Sequence, residues 1–101
     1  MAMVITVLEA VVAPERVADL KVSYADAGKS PLPDGLVRSA LLQDTRDPTR
    51  WRIETVWESP EALSRMRQAG KPKGLQIFES AGARPSLDIF RVVGQIDPAG
   101  R

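Results

Sequence analysis

Cysteine, histidine and asparagine are all missing from this chain of 101 residues. Without cysteine there is no disulfide and no thiolate nucleophile. Without histidine there is no imidazole base at neutral pH, and the commonest transition-metal ligand is gone. No triad, phosphate loop or metal-ligand cluster can be assembled from the sequence, so neither a metal nor any other cofactor is expected. Aromatic residues are few: two Trp, two Phe and one Tyr. Neither sign of charge dominates, since 14 Lys and Arg face 13 Asp and Glu for a formal net charge of +1. No block of one sign marks a nucleic-acid or membrane surface. No stretch approaches the roughly 20 apolar residues of a membrane span, and the opening MAMVITVLEAVV lacks the basic start of a secretory signal. The expectation is a soluble cytoplasmic protein, one domain over residues 1–101, with a single small core.

What the chain does have is concentrated in Trp51 to Leu63, WRIETVWESPEAL. Trp51, Ile53, Thr55 and Trp57 alternate with Arg52, Glu54, Val56 and Glu58, which puts both tryptophans on one face of a strand. Ser59 follows as a helix cap, Pro60 suits the first helical position, and Glu61 favours the positive end of the helix dipole.

The remaining elements follow from period and punctuation. Met3 to Val12 is apolar on both parities, the pattern of a strand covered on both sides. From Pro14 the spacing of Val17, Leu20, Tyr24 and Ala27 predicts an amphipathic helix that Gly28 ends. KSPLPDG, residues 29–35, is a loop, and Leu36 to Asp44 is a strand joined to Trp51–Glu58 by the turn at Asp47-Pro48-Thr49. A second helix runs from Pro60 to about Ala69, breaks at residues 70–74, and resumes from Leu75 to Ala81. Ser86 to Ile96 forms the last strand, with Leu87, Ile89, Arg91 and Val93 on one face and Asp88, Phe90 and Val92 on the other.

The order β-α-β-β-α-β predicts an α+β, ferredoxin-like domain, in which both helices cover one face of a four-stranded antiparallel sheet. Val56, Leu87, Ile89 and Val93, with Arg52, Glu54 and Arg91, are assigned to the bare face. That mixture is too apolar for plain solvent, and a second copy packed sheet to sheet would cover it, which predicts a homodimer.

Thr55-Val56-Trp57-Glu58-Ser59 followed by Glu61-Ala62-Leu63, and Phe78-Glu79-Ser80-Ala81-Gly82-Ala83 ahead of Asp88-Ile89-Phe90-Arg91-Val92-Val93, resemble the antibiotic biosynthesis monooxygenase domains of the dimeric α/β-barrel superfamily. The resemblance covers nearly the whole layout through a short, degenerate motif. It implies a sheet-to-sheet dimer and a pocket between sheet and helices, bordered by a tryptophan at the place of Trp57. Superfamily members include cofactor-independent oxygenases, haem degraders, isomerases and domains without known activity. The chain departs from the oxygenase and haem-degrading branches in having neither asparagine nor histidine. Met66 stands where many relatives have a histidine, and Thr55 where many have a glutamate. These departures argue against haem degradation.

The candidate catalytic residues are Trp57, Tyr24 and Asp88: Trp57 as a pocket wall, Tyr24 as the sole phenol, Asp88 as a general base. The candidate substrate contacts are Trp57, Thr55, Leu63, Met66, Phe78, Leu20 and Arg91. Each has a plainer alternative: Trp57, Leu20, Leu63, Met66 and Phe78 as filler of a closed core, and Arg91 with Arg52 and Glu54 as ion pairs across an interface. Lys71-Pro72-Lys73 is either a lid or a solvated basic loop. Two functions follow. One is an oxygenase that oxidises an aromatic or quinol-type molecule through the substrate's own enolate. The other is a non-catalytic dimer that binds a small apolar ligand or serves a regulatory or stress-related role. Neither involves nucleic acid or a membrane.

Overall fold

The strand that carries both tryptophans is β3, Arg50–Trp57, and its alternation is realised: Trp51, Ile53, Thr55 and Trp57 are all buried. The structure is a computed structural model and describes residues 2–98. β1, Val4–Val11, leads through a 3-10 turn at Pro14–Arg16 into α1, Val17–Lys29. β2, Leu36–Gln43, precedes β3; α2, Pro60–Gln68, and α3, Lys73–Ser80, precede β4, Ser86–Arg91. The strands pair antiparallel in the order β2-β3-β1-β4, the ferredoxin-like topology expected from the element order, with the second helix divided in two.

Local chemistry fixes the joints. Ser59 Oγ accepts from the Ala62 amide at 3.1 Å, which caps α2. Asp44 Oδ1 accepts from the amides of Arg46 and Asp47 at 2.7 and 3.0 Å and shapes the β2–β3 turn. Gly35, at φ 86°, lets the chain pass against Ala62 while its carbonyl accepts from the Glu58 amide at 2.8 Å. Helix α1 continues one residue past Gly28, because Pro31 is what forbids further helix by pushing Ser30 to extended geometry at ψ 160°.

Two expectations are corrected by the register. β4 stops at Arg91 rather than Ile96, because its partner β1 begins at Val4 and only one further bond, Val92 N–H to the Met3 carbonyl, extends the ladder. Leu87, Ile89 and Arg91 belong to the helix-covered face rather than the bare one: they stand opposite Leu8, Thr6 and Val4, which share a face with Ile53, Thr55 and Trp57. Apolar residues stand on both parities around β4, Leu87 and Ile89 on one and Phe90 and Val92 on the other, so the sequence left the choice open, and pairing with β1 decided it.

The helix side holds two apolar clusters. One joins Leu20 of α1 and Ile77 and Phe78 of α3 to Leu8, Ala10, Trp51 and Ile53 of the sheet. The other joins Ala62 and Leu63 of α2 to Val4 and Trp57. The opposite face carries Ile5, Val7, Val56 and Phe90 at one end. At the other, Glu9 is paired with Arg50 and, at 2.7 Å, with Arg52. No helix of the described residues is long and apolar enough to cross a membrane.

Candidate functional site

Between the two clusters, one row of residues across the sheet is polar. Ser39 of β2 stands opposite Thr55 of β3, which stands opposite Thr6 of β1, with Ile89 of β4 beyond it. A side chain in such a row is flanked by the rows above and below on the same face. Here those rows are Val4 and Trp57 on one side and Leu8, Ile53 and Leu41 on the other. The hydroxyls are therefore the seam where the two cores meet. They are linked in two sets: Tyr24 Oη and Thr55 Oγ1 both donate to Ser39 Oγ, at 3.0 and 3.3 Å, and Trp57 Nε1 donates to Thr6 Oγ1 at 3.2 Å.

At the Thr6 end the seam opens. A cleft of about 50 Å³ lies over β1 and β4, with Thr6, Leu8, Leu87 and Ile89 as floor and Leu63, Met66, Arg67, Pro72 and Leu75 of the helical layer as walls. It exists because the helices cover β1 and β3 but leave β4 uncovered, with Leu87 and Ile89 each 46% exposed. The bend between α2 and α3 forms its rim. Gly74 lets α3 approach the floor closely, since a Cβ there would fall 2.6 Å from Leu8 Cδ1. The lining is apolar except for the Thr6 hydroxyl and the Arg67 guanidinium at the solvent edge.

The structure brings together only part of the expected set. Leu63 and Met66 line the cleft, and Trp57 lies directly behind Thr6, almost fully buried and bonded to it. Thr55 is the next residue along the seam, and Tyr24 closes its far end at Ser39. Leu20 and Phe78 are fully buried in the other cluster, away from the cleft. Arg91 shares the helix-side face, exposed beside Val4. Asp88 projects from the opposite face, in the row of Val7 and Glu54. Sequence reasoning missed Thr6. Its only signal was a lone hydroxyl on a strand face otherwise made of Val4, Leu8 and Ala10.

A larger depression of about 210 Å³ lies at the charged end of the open face, bordered by Glu9, Leu42, Asp44, Arg50 and Arg52. Its cations are already committed. The guanidinium groups of Arg50 and then Arg52 hold the Glu9 carboxyl below its usual range, and both arginines are in turn held more firmly protonated by Glu9. Ions already paired in this way leave little for an anionic ligand, and the apolar cleft at Thr6 is the better candidate. Among the described residues, no group of three or more His, Cys, Asp or Glu could hold a metal ion.

Comparison with known proteins agrees with this architecture. The sequence profile of the family described as antibiotic biosynthesis monooxygenase matches residues 1–73. No curated protein matches significantly. Among solved structures, a variant of SnoaB, a cofactor-independent oxygenase from Streptomyces nogalater, is similar over 95% of this chain and 98% of its own, with a TM-score of 0.72 at 18% identity. A conserved protein from Methanosarcina mazei Go1 is similar over 89% of this chain and 92% of its own, with a TM-score of 0.71 at 16% identity. At such identities the likeness is one of fold.

Proposed function

Because the chain belongs to the antibiotic biosynthesis monooxygenase family, we propose that it is a cofactor-independent oxygenase of an aromatic or quinol-type small molecule, acting in the cytoplasm as a homodimer. The observation that carries this reading is the cleft: an apolar slot between sheet and helices with a hydrogen-bonded Trp57–Thr6 pair at its base. The similar fold of an oxygenase that uses no cofactor supports it. In such a reaction the substrate itself is the reductant. A ring CH2 beside an aryl ketone loses a proton to water at the cleft mouth, and the resulting enolate passes one electron to O2. The two radicals join in a new C–O bond. The peroxide anion takes up the first proton, and the hydroperoxide then loses the remaining C–H proton while its O–O bond breaks, giving a ketone and a hydroxide that the released proton converts to water. The protein's part is to orient the ring and keep bulk water away, for which apolar walls suffice. Met66, Arg67 and Leu75 on the solvent side are not fully buried, so rotamer changes can widen the slot without disturbing the sheet.

The dimer reading rests on the open face, where Phe90, 54% exposed, and half-buried Ile5 stand next to Val7 and Val56, which are already buried in the single chain, beside the Glu9–Arg52 ion pairs. A second copy of the same face covers such a patch and matches its mixed charges.

A second reading, a non-catalytic dimer that binds a small ligand or serves a regulatory or stress-related role, is favoured by two features. The cleft lining holds no carboxylate or other general base. At about 50 Å³ it is also smaller than the roughly 150 Å³ that a benzene ring needs. Oxygen uptake without added cofactor, over a panel of anthrones, hydroquinones and catechols, separates the two. Uptake above the uncatalysed rate that is lost in Trp57→Ala is expected; no uptake with any compound leaves the binding module.

A further inference from the structure

The hydrogen bonding of Thr6 specifies which end of a ligand the cleft recognises. A hydroxyl has one hydrogen to donate and two lone pairs to accept with. Trp57 Nε1–H can only donate, and it occupies one of the Thr6 lone pairs at 3.2 Å. Among the described residues the Thr6 hydroxyl donates to no protein acceptor, so its hydrogen is left for whatever fills the cleft that Thr6 lines. The indole is almost fully buried, and a hydroxyl that accepts from such a donor is polarised into a stronger donor itself. The residues around it, Leu8, Leu63, Leu87 and Ile89, are apolar, and the other polar side chain of the lining, Arg67, stands at the exposed rim.

We propose that Thr6, oriented by Trp57, is the specificity-determining residue of this cleft: it donates a hydrogen bond to a carbonyl or enolate oxygen, so the site selects ring ketones over the matching hydrocarbons. This rests on the reading of the cleft as an aromatic-ligand site. Thr6 touches the ligand oxygen; Trp57 is a positioning residue that acts through Thr6 by orienting and polarising the hydroxyl. In an enolate-forming reaction the same bond strengthens as negative charge gathers on the oxygen, the direction in which an oxyanion donor aids a reaction.

The test uses three compounds that share one ring system, 1-tetralone, 1-tetralol and tetralin, with dissociation constants read from the amide and Trp indole N–H signals in nuclear magnetic resonance titrations. For the wild-type chain, 1-tetralone is expected to bind about threefold to tenfold more tightly than tetralin, the range one net hydrogen bond gives. It should also shift the Trp57 indole signal. Thr6→Val, which keeps the shape and removes the hydroxyl, should erase that preference while leaving tetralin binding unchanged, and Thr6→Ser should restore it. In Trp57→Phe the hydroxyl loses the donor that polarises it, so the preference for ketone over hydrocarbon should narrow. A preference that survives Thr6→Val overturns the proposal. Equal binding of all three compounds by the wild type overturns it too, while leaving the apolar-ligand reading standing. Absence of any shift at Leu8, Leu63 or Leu87 with all three overturns that reading and the proposal together.

Discussion

Replacing Gly35 with alanine should be among the most damaging single-methyl changes in this protein. Gly35 has φ 86°, a left-handed conformation that costs a residue with a Cβ about 1–2 kcal/mol. The added methyl would also overlap the Cβ of Ala62, which is fully buried in α2, and would lie 3.3 Å from Glu58 Cγ. Ala62 Cβ is fixed to its helix backbone and cannot rotate away, so the overlap adds roughly 1–3 kcal/mol, the usual range for overpacking a closed site. The total is about 3 kcal/mol, a large share of the ~5–15 kcal/mol that holds a domain together. Urea denaturation followed by tryptophan fluorescence reads it directly. At a slope of ~1–3 kcal/mol per molar urea, the midpoint should fall by roughly 1–3 M. A double-mutant cycle separates the two causes. In an Ala62→Gly background the methyl finds space, and Gly35→Ala should then cost only about 1–2 kcal/mol, the backbone part. A single-mutant cost below about 1 kcal/mol, or a cost unchanged by Ala62→Gly, would refute the reasoning that Gly35 locks the β2 entrance against α2.

The two tryptophans should respond differently to loss of their N–H. Among the described residues Trp51 Nε1 is buried without a partner whereas Trp57 Nε1 is bonded to Thr6, so Trp51→Phe should destabilise by about 1 kcal/mol less than Trp57→Phe in the same urea assay. On the open face, Phe90→Glu should convert a dimer to a monomer by light scattering without loss of the far-ultraviolet circular dichroism signal, because Phe90 is 54% exposed in the single chain. A monomeric wild type would refute the dimer outright. Stability should also fall in acid: the Glu9 carboxyl is held below its ordinary value near 4.5 by Arg50 and Arg52. A depressed folded value means the unfolded chain takes up the proton first. The contribution of Glu9 is therefore complete above pH ~4.5 and is lost as the pH falls through the folded value. Glu9→Gln should flatten that part of the acid limb in denaturation curves run from pH 7 to pH 3; an unchanged limb would remove Glu9 from the account.

The parts of this protein that were legible in the sequence are those whose physics is local. The alternation of Trp51, Ile53, Thr55 and Trp57, the Ser59 cap and the Asp47-Pro48-Thr49 turn each depend on neighbours a few residues away, and each is found where residue chemistry put it. From those units the β-α-β-β-α-β order and the antiparallel sheet followed. What only the tertiary structure decided is set by strand register, because a shift of one residue turns every side chain of a strand to the other face. Register placed Leu87 and Ile89 of β4 on the helix-side face, at the edge the helices leave uncovered, and sent Asp88 to the opposite face. Helix packing divided the expected pocket residues, leaving Leu63 and Met66 of α2 at the cleft while Leu20 of α1 and Phe78 of α3 filled a separate core. Strand register also aligned Ser39, Thr55 and Thr6 from three strands into one polar seam and set the Trp57 indole on Thr6, a contact between residues 51 positions apart along the chain that no local pattern encodes.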